Sequence, residues 1–335
     1  MIEFIRNVIQ KVAQERSDGR QHVFEIEINS LVNDQLKLRG RVLDLDDLGV
    51  LSEALAEEFS QFILDVSEIE ILRKPSNPIM TVGTNLTSLH KETAFQTELT
   101  SQMVFGEKVE ILSVDGNWVF TRQMDGYLGL TYKPYLTEKK LPEPTHIVMA
   151  PATQVLMHPE KNAPLLTRVF SGTKLKVLET SGEWANVSAN QTGWMKLQEL
   201  RALSDFPVST MERRARMEAD AVSMIGVPYL WGGTTGNGID CSGFARLVHR
   251  WSGIDIPRDG DMQSAQCKQV EAPYQPGDLF FFGEGEGPRR ISHVGICMGG
   301  WKVLHSSRSR NGVYLDDLQE NEFLRSIFIH AGTFL

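Results

Sequence analysis

A 66-residue internal repeat limits the fold of this chain more than any other feature of its sequence. Gly106, Lys108, Leu112, Gly116 and Trp118 recur as Gly172, Lys174, Leu178, Gly182 and Trp184. Gly126-Tyr127 recurs as Gly193-Trp194 with a slip of one residue. Each copy reads as a strand, a glycine turn, an aromatic-bearing strand, then a further turn and strand. That is a small all-β barrel made twice. Leu141-Pro142-Glu143-Pro144 suits a linker between the copies, so residues 79–140 form the first barrel and 145–204 the second.

The flanks have other textures. Residues 1–73 read as a small α/β unit, with alternating strand patterns over 23–28 and 36–42. Helical apolar spacing runs over 48–63, and a last strand covers 68–72. This unit shows no chemistry, and its charges read as a solvated face. Residues 205–335 read as an α+β domain with helices over 211–225 and 241–251. Phe244, Leu247, Val248 and Trp251 give the second helix one apolar stripe, and His249 is expected on its solvent side. Short strands follow over 278–282, 293–298, 302–306 and 326–329.

The chemistry gathers in this last domain. Cys241 opens a helix, where unpaired N–H groups and the helix dipole favour a thiolate. His293 and His305 stand on successive strands separated by a Gly299-Gly300 turn, so antiparallel pairing brings their rings together. One ring can then serve as base and the other orient it. Gly238 and Gly243 allow a tight turn and close approach around the thiol. Asp240 either caps the helix or meets a substrate ammonium group. Cys267 and Cys297 read as small core residues, and three cysteines without CxxC spacing suggest neither a disulfide framework nor a zinc site.

Tyr229-Leu230-Trp231-Gly232-Gly233 ahead of Asp240-Cys241-Ser242-Gly243, with the two later histidines, resembles the NlpC/P60 family of papain-like cysteine peptidases, which cut cell-wall peptides. The repeat similarly resembles bacterial SH3-like (SH3b) domains. The resemblance implies Cys241 as nucleophile, His293 as base, His305 as orienter and Tyr229 as an oxyanion-hole hydroxyl beside the Cys241 N–H. It is closest to the subgroup with two SH3b domains, γ-D-glutamyl-L-diamino acid endopeptidases of the dipeptidyl-peptidase VI type. In that subgroup Asp240 and Ser242 would bind the L-Ala-γ-D-Glu dipeptide and Trp231 would wall the pocket. A glutamate and a tyrosine from the first SH3b domain reach the substrate there, which points to Glu98 and Tyr127. Many relatives have serine in the segment that here reads Arg258-Asp259-Gly260, which leaves one substrate hydrogen bond in doubt.

These readings make the chain a cysteine endopeptidase for the γ-D-Glu–diamino-acid bond of short murein peptides with a free N-terminal L-Ala, acting in recycling. Two alternatives stay open: an exported hydrolase remodelling intact wall, and a non-catalytic wall-binding protein. No metal or organic cofactor is implied. The net charge of −9 is interspersed rather than blocked, which argues against nucleic acid or an anionic membrane as partner. Glu3, Arg6 and Lys11 break the N-terminal apolar runs, so a signal peptide is not expected and the cytoplasm is.

Overall fold

The computed structural model describes residues 1–287 and 290–335, which gather into two compact units. Met1–Met80 and Lys108–Lys133 make the first; Thr81–Glu107 and Pro134–Leu335 make the second. The strands expected of the first small barrel are therefore shared between the two units.

In the first unit, helices α1 (Ile2–Glu15) and α2 (Leu45–Glu58) contribute to one core with the sheet β1 (Phe24–Val32), β2 (Gln35–Val42) and β3 (Ile63–Ile71). β1 and β2 pair antiparallel, whereas β2 and β3 pair parallel with α2 as the crossover. Ile5 and Ile9 of α1 meet Leu51 and Leu55 of α2 over Leu36 and Leu38 of β2. The helical spacing over 48–63 overran the true element. α2 starts at the Asp44 cap and ends at Glu58, and Ile63 already belongs to β3. The remaining strands of this unit, Lys108–Asp115, Trp118–Gln123 and Leu128–Tyr132, form an antiparallel meander. Leu112 and Leu128 of the meander pack with Val23, Leu43 and Leu72.

The second unit contains a hairpin of Leu86–His90 and Leu99–Val104, a seven-stranded antiparallel sheet within residues 146–202, and the C-terminal α+β region. In the C-terminal region six antiparallel strands run in the order 268–270, 328–333, 279–283, 291–297, 302–307, 312–317. Helix α3 (Thr210–Ala221) starts at a Ser209/Glu212 capping box. Helix α4 (Cys241–Trp251) lays Phe244, Val248 and Trp251 against Phe281, Ile296 and Leu304. Full burial of side chains this large stabilises by about 1.5–3 kcal/mol each.

His249 is fully buried, contrary to its expected solvent position. The reason lies outside the helix. Gly172 of the seven-stranded sheet comes so close that a Cβ there would stand 2.9 Å from Leu247. Trp251 Nε1 donates to the Val148 carbonyl at 2.9 Å, and the Phe334 ring meets His249 edge-on. α4 is thus covered from several sides, which its own spacing could not reveal. Among the described residues no helix is long and apolar enough to cross a membrane.

Candidate active site

The loop leading into α4 is strapped down before the thiol appears. Gly226 N and Tyr229 N donate to the carbonyls of Val313 and Asn311 at 3.0 and 3.2 Å, and buried Ser306 Oγ donates to the Ile239 carbonyl at 2.6 Å. From another side, Gly236 N donates to Ser171 Oγ at 2.9 Å and Thr234 N to Gln102 Oε1 at 3.2 Å. Gly232 needs its missing side chain. Its φ is +77°, and a Cβ would fall 2.4 Å from the Leu99 carbonyl oxygen of the 86–104 hairpin.

Asp240, expected either to cap the helix or to meet a substrate ammonium group, caps α4. The residue is 6% exposed. Oδ1 accepts from Gly243 N at 2.7 Å and Arg258 Nη1 at 3.1 Å, while Oδ2 accepts from Gly232 N at 2.9 Å and Arg258 Nη2 at 2.7 Å. Both oxygens are thus engaged by donors of the protein itself. Ser242 is likewise buried, with Oγ accepting from Arg258 Nη1 at 2.9 Å, so the fold engages it as well. Arg258, only 1% exposed, also donates to Ser101 Oγ at 3.0 Å and ties the hairpin to the nucleophile loop. In the sequence this arginine stands out only as the start of Arg258-Asp259-Gly260. Its burial carried no sequence signal.

Cys241 is half-buried, and backbone N–H groups of Val294 and Ser242 are directed at its sulfur. The Val294 contact brings the His293–Val294 step to the thiol. Burial pushes the thiol up to about 12, the Asp240 carboxylate adds to the rise, and the two N–H groups and Arg258 oppose it. The expected lowering at a helix start is thereby outweighed by desolvation. Burial, and next the charge of His305, hold His293 down to about 3. Both shifts favour the neutral forms, a thiol at Cys241 and an imidazole at His293.

The two histidines meet as their strands predict, with His293 Nε2 2.6 Å from His305 Nδ1. Pairing of Ile296 with Leu304 and Cys297 with Val303 sets the register and places Gly295 opposite His305. His293 is then the diagonal neighbour of His305 on one face, and the small Gly295 leaves room for the rings to close. The diagonal continues beyond what the sequence suggested. His305 Nε2 lies 2.8 Å from Asp316 Oδ2 on the next strand, and Asp316 Oδ1 accepts from Arg310 Nη2 at 2.8 Å. Burial lowers the pKa of His305, and the hydrogen bond to Asp316 works against that.

Tyr229 is half-buried, and its hydroxyl is driven upward by burial and then by Cys241 and Asp240, so it stays protonated as a donor near the thiol. Trp231 is 54% exposed, and its Nε1 donates to Glu98 Oε1 at 3.1 Å. Lys91 Nζ stands 3.6 Å from the other Glu98 oxygen. Tyr127 belongs to the first unit, where it is buried at 4% exposure and its N–H donates to Asp125 Oδ1 at 3.1 Å. No group of three or more metal-ligating side chains occurs among the described residues.

Residues 226–331 match the NlpC/P60 family model. This chain carries an NlpC/P60 domain. The domain spans the strapped loop, α4, both histidines and Asp316. Over longer stretches the chain is similar to two proteins named gamma-D-glutamyl-L-lysine dipeptidyl-peptidase. The Bacillus cereus protein is 28% identical over 64% of this chain and 69% of its own length. The Bacillus subtilis protein is 29% identical over 68% and 79%. A crystal structure of an NlpC/P60 family protein from Bacillus cereus superposes with a TM-score of 0.68 at 22% identity, covering 77% of this chain and all of the other. That likeness extends the shared fold well beyond the NlpC/P60 domain.

Proposed function

We propose that this cysteine peptidase hydrolyses the γ-D-Glu–diamino-acid bond of short murein peptides that carry a free N-terminal L-Ala. The observation that carries the reading is the bonded line His293–His305–Asp316 running up to the strand step that touches Cys241. The names of the two similar dipeptidyl-peptidases support the bond chosen. The β-rich segments 79–140 and 145–204 are proposed as SH3-like modules.

The proposed reaction starts from the neutral pair. His293 Nδ1 accepts the thiol proton as Sγ attacks the γ-carbonyl carbon of D-Glu, because a separated thiolate is costly in so dry a site. Negative charge develops on the carbonyl oxygen, where the Tyr229 hydroxyl and the Cys241 N–H donate to it. The C–N bond breaks as His293 returns the proton to the departing amine of the diamino acid. A γ-glutamyl thioester remains. Water, deprotonated by His293, then attacks the thioester carbon and releases the L-Ala-γ-D-Glu dipeptide and the thiol.

With Asp240 engaged by Arg258, the free amine needs another carboxylate. Two are held close to the same loop: Glu98, bonded to Trp231, and Asp259, whose Oδ1 lies 3.6 Å from Arg258 Nη1. Glu98 is proposed as the amine partner and Trp231 as the wall beside it. The test is incubation with L-Ala-γ-D-Glu-diaminopimelate, its lysine counterpart and their N-acetylated forms, followed by mass spectrometry. Free-amine peptides should be cleaved and acetylated ones spared. Equal cleavage of both sinks the amine reading, and solubilisation of intact sacculi at comparable rates replaces it with wall remodelling.

A further inference from the structure

Three strands of the catalytic sheet carry a line of side chains that ends on a carboxylate with no part in the mechanism above. From the geometry we propose that Asp316 is a positioning residue whose carboxylate, fixed by Arg310 and Asn321, sets through His305 which ring nitrogen of His293 faces the thiol. The inference rests on reading Cys241 and His293 as nucleophile and base.

Donors and acceptors alternate along the line. An ionised carboxylate only accepts, so the 2.8 Å contact at His305 Nε2 requires the proton on Nε2. A neutral His305 then has a bare Nδ1, which must accept across the 2.6 Å contact, so His293 carries its proton on Nε2. His293 Nδ1 is left with a lone pair. One carboxylate thus selects the tautomer of two rings, and only this choice gives His293 a basic nitrogen to offer a thiol. Among the described residues no carboxylate is hydrogen-bonded to His293 directly, so the selection comes through His305.

Asp316 is itself oriented. Its Oδ1 accepts from Arg310 Nη2 at 2.8 Å and from Asn321 Nδ2 at 3.4 Å, and Oδ2 is thereby turned to His305. Arg310 also leans over the Tyr314 ring, 5.8 Å from its centroid. The charged and titratable groups that bear on His305 are Asp316, Arg310 and His293. Two donors on the Oδ1 side make Asp316→Asn a pointed substitution. Arg310 and Asn321 would hold the amide oxygen, which presents the NH2 group to His305 Nε2. The proton of His305 must then move to Nδ1, His293 must accept at Nε2, and the nitrogen facing the thiol becomes protonated.

The test needs no peptide, so its failure is separable from an error in the proposed substrate. With 15N-labelled histidine, NMR of the unmodified protein at pH 7 should show His305 protonated at Nε2 and bare at Nδ1. A proton on Nδ1 instead overturns the proposal, whether or not any variant folds. Asp316→Asn should slow alkylation of Cys241 by iodoacetamide at pH 7 by about 10²-fold, the lower range of a general-base contribution. The deficit should shrink as pH rises and the thiol ionises unaided, while the thermal melt stays near that of the parent. Asp316→Glu should recover much of the rate, since it still only accepts. Wild-type alkylation in Asp316→Asn, or a deficit equal at all pH values, refutes the positioning role.

Discussion

Arg258→Met should loosen the candidate site more than any surface change, and the size of the effect follows from the contacts. Its guanidinium donates four hydrogen bonds: to Asp240 at 2.7 and 3.1 Å, to Ser242 Oγ at 2.9 Å and to Ser101 Oγ at 3.0 Å. The side chains of Arg258 and Asp240 are 1% and 8% exposed, so neither charge has water to fall back on. Methionine fills the space and leaves the Asp240 carboxylate with two backbone N–H donors and the Ser242 hydroxyl at 3.3 Å, none of them charged. Breaking a buried pair by removing one member costs about 3–5 kcal/mol. Arg258→Lys should also be destabilising, because an ammonium cannot reproduce the fork on both carboxylate oxygens. The assay is urea unfolding followed by tryptophan fluorescence and far-UV circular dichroism, for Arg258→Met, Asp240→Asn and the double variant. A coupling energy of about 2 kcal/mol or more is expected between contacting groups of this kind. A coupling below about 0.5 kcal/mol, the value of an exposed pair, would refute the reasoning.

Other outcomes follow from the same structure. Cys241→Ala should abolish peptide cleavage and iodoacetamide uptake at the site, and residual turnover at the parent rate would remove the thiol mechanism. His249 is held down to about 4 by burial, so its folded pKa lies below its unfolded value near 6.5. Between those values the unfolded chain binds the extra proton, so stability should fall as pH drops from 6.5 to 4 and level off below. At about 1.4 kcal/mol per unit the loss is roughly 3 kcal/mol, and denaturation of His249→Leu across that range should show a flatter profile. Gly232→Ala should displace the 86–104 hairpin, because its Cβ would stand 2.4 Å from the Leu99 oxygen. A strained left-handed position costs about 1–3 kcal/mol, readable by denaturation. Glu98→Gln should change stability by less than about 0.5 kcal/mol while raising KM for a free-amine peptide.

The parts of this molecule that were legible in sequence are those fixed by local spacing. The stripe Phe244, Leu247, Val248 and Trp251 marks α4 at its true ends, and the Gly299-Gly300 turn predicts the meeting of His293 and His305. What stayed hidden depends on distant partners. The strand 312–317, which carries Asp316, has no long apolar run, and its place at the sheet edge comes from pairing with 302–307. Asp240 looked free to meet an amine because nothing near it in sequence announces Arg258, 18 residues on and buried. The thiol misled for a related reason. A helix start is visible in sequence, but the desolvation that overrides it arises only when the sheet closes over Cys241.

The 86–104 hairpin bears on how freely this catalytic region could be exchanged between proteins. Gly232 fits against Leu99, Trp231 bonds Glu98, Thr234 bonds Gln102 and Arg258 bonds Ser101, while Arg250 pairs with Glu107 just beyond the hairpin at 2.5 Å. Every one of these contacts is lost when residues 205–335 are cut out and grafted elsewhere. The excised piece would keep its thiol and imidazoles but lose the side chains that brace the loop ahead of α4. Such a graft should be less stable than the same domain in its own chain, so the hairpin has to travel with the domain that holds the nucleophile.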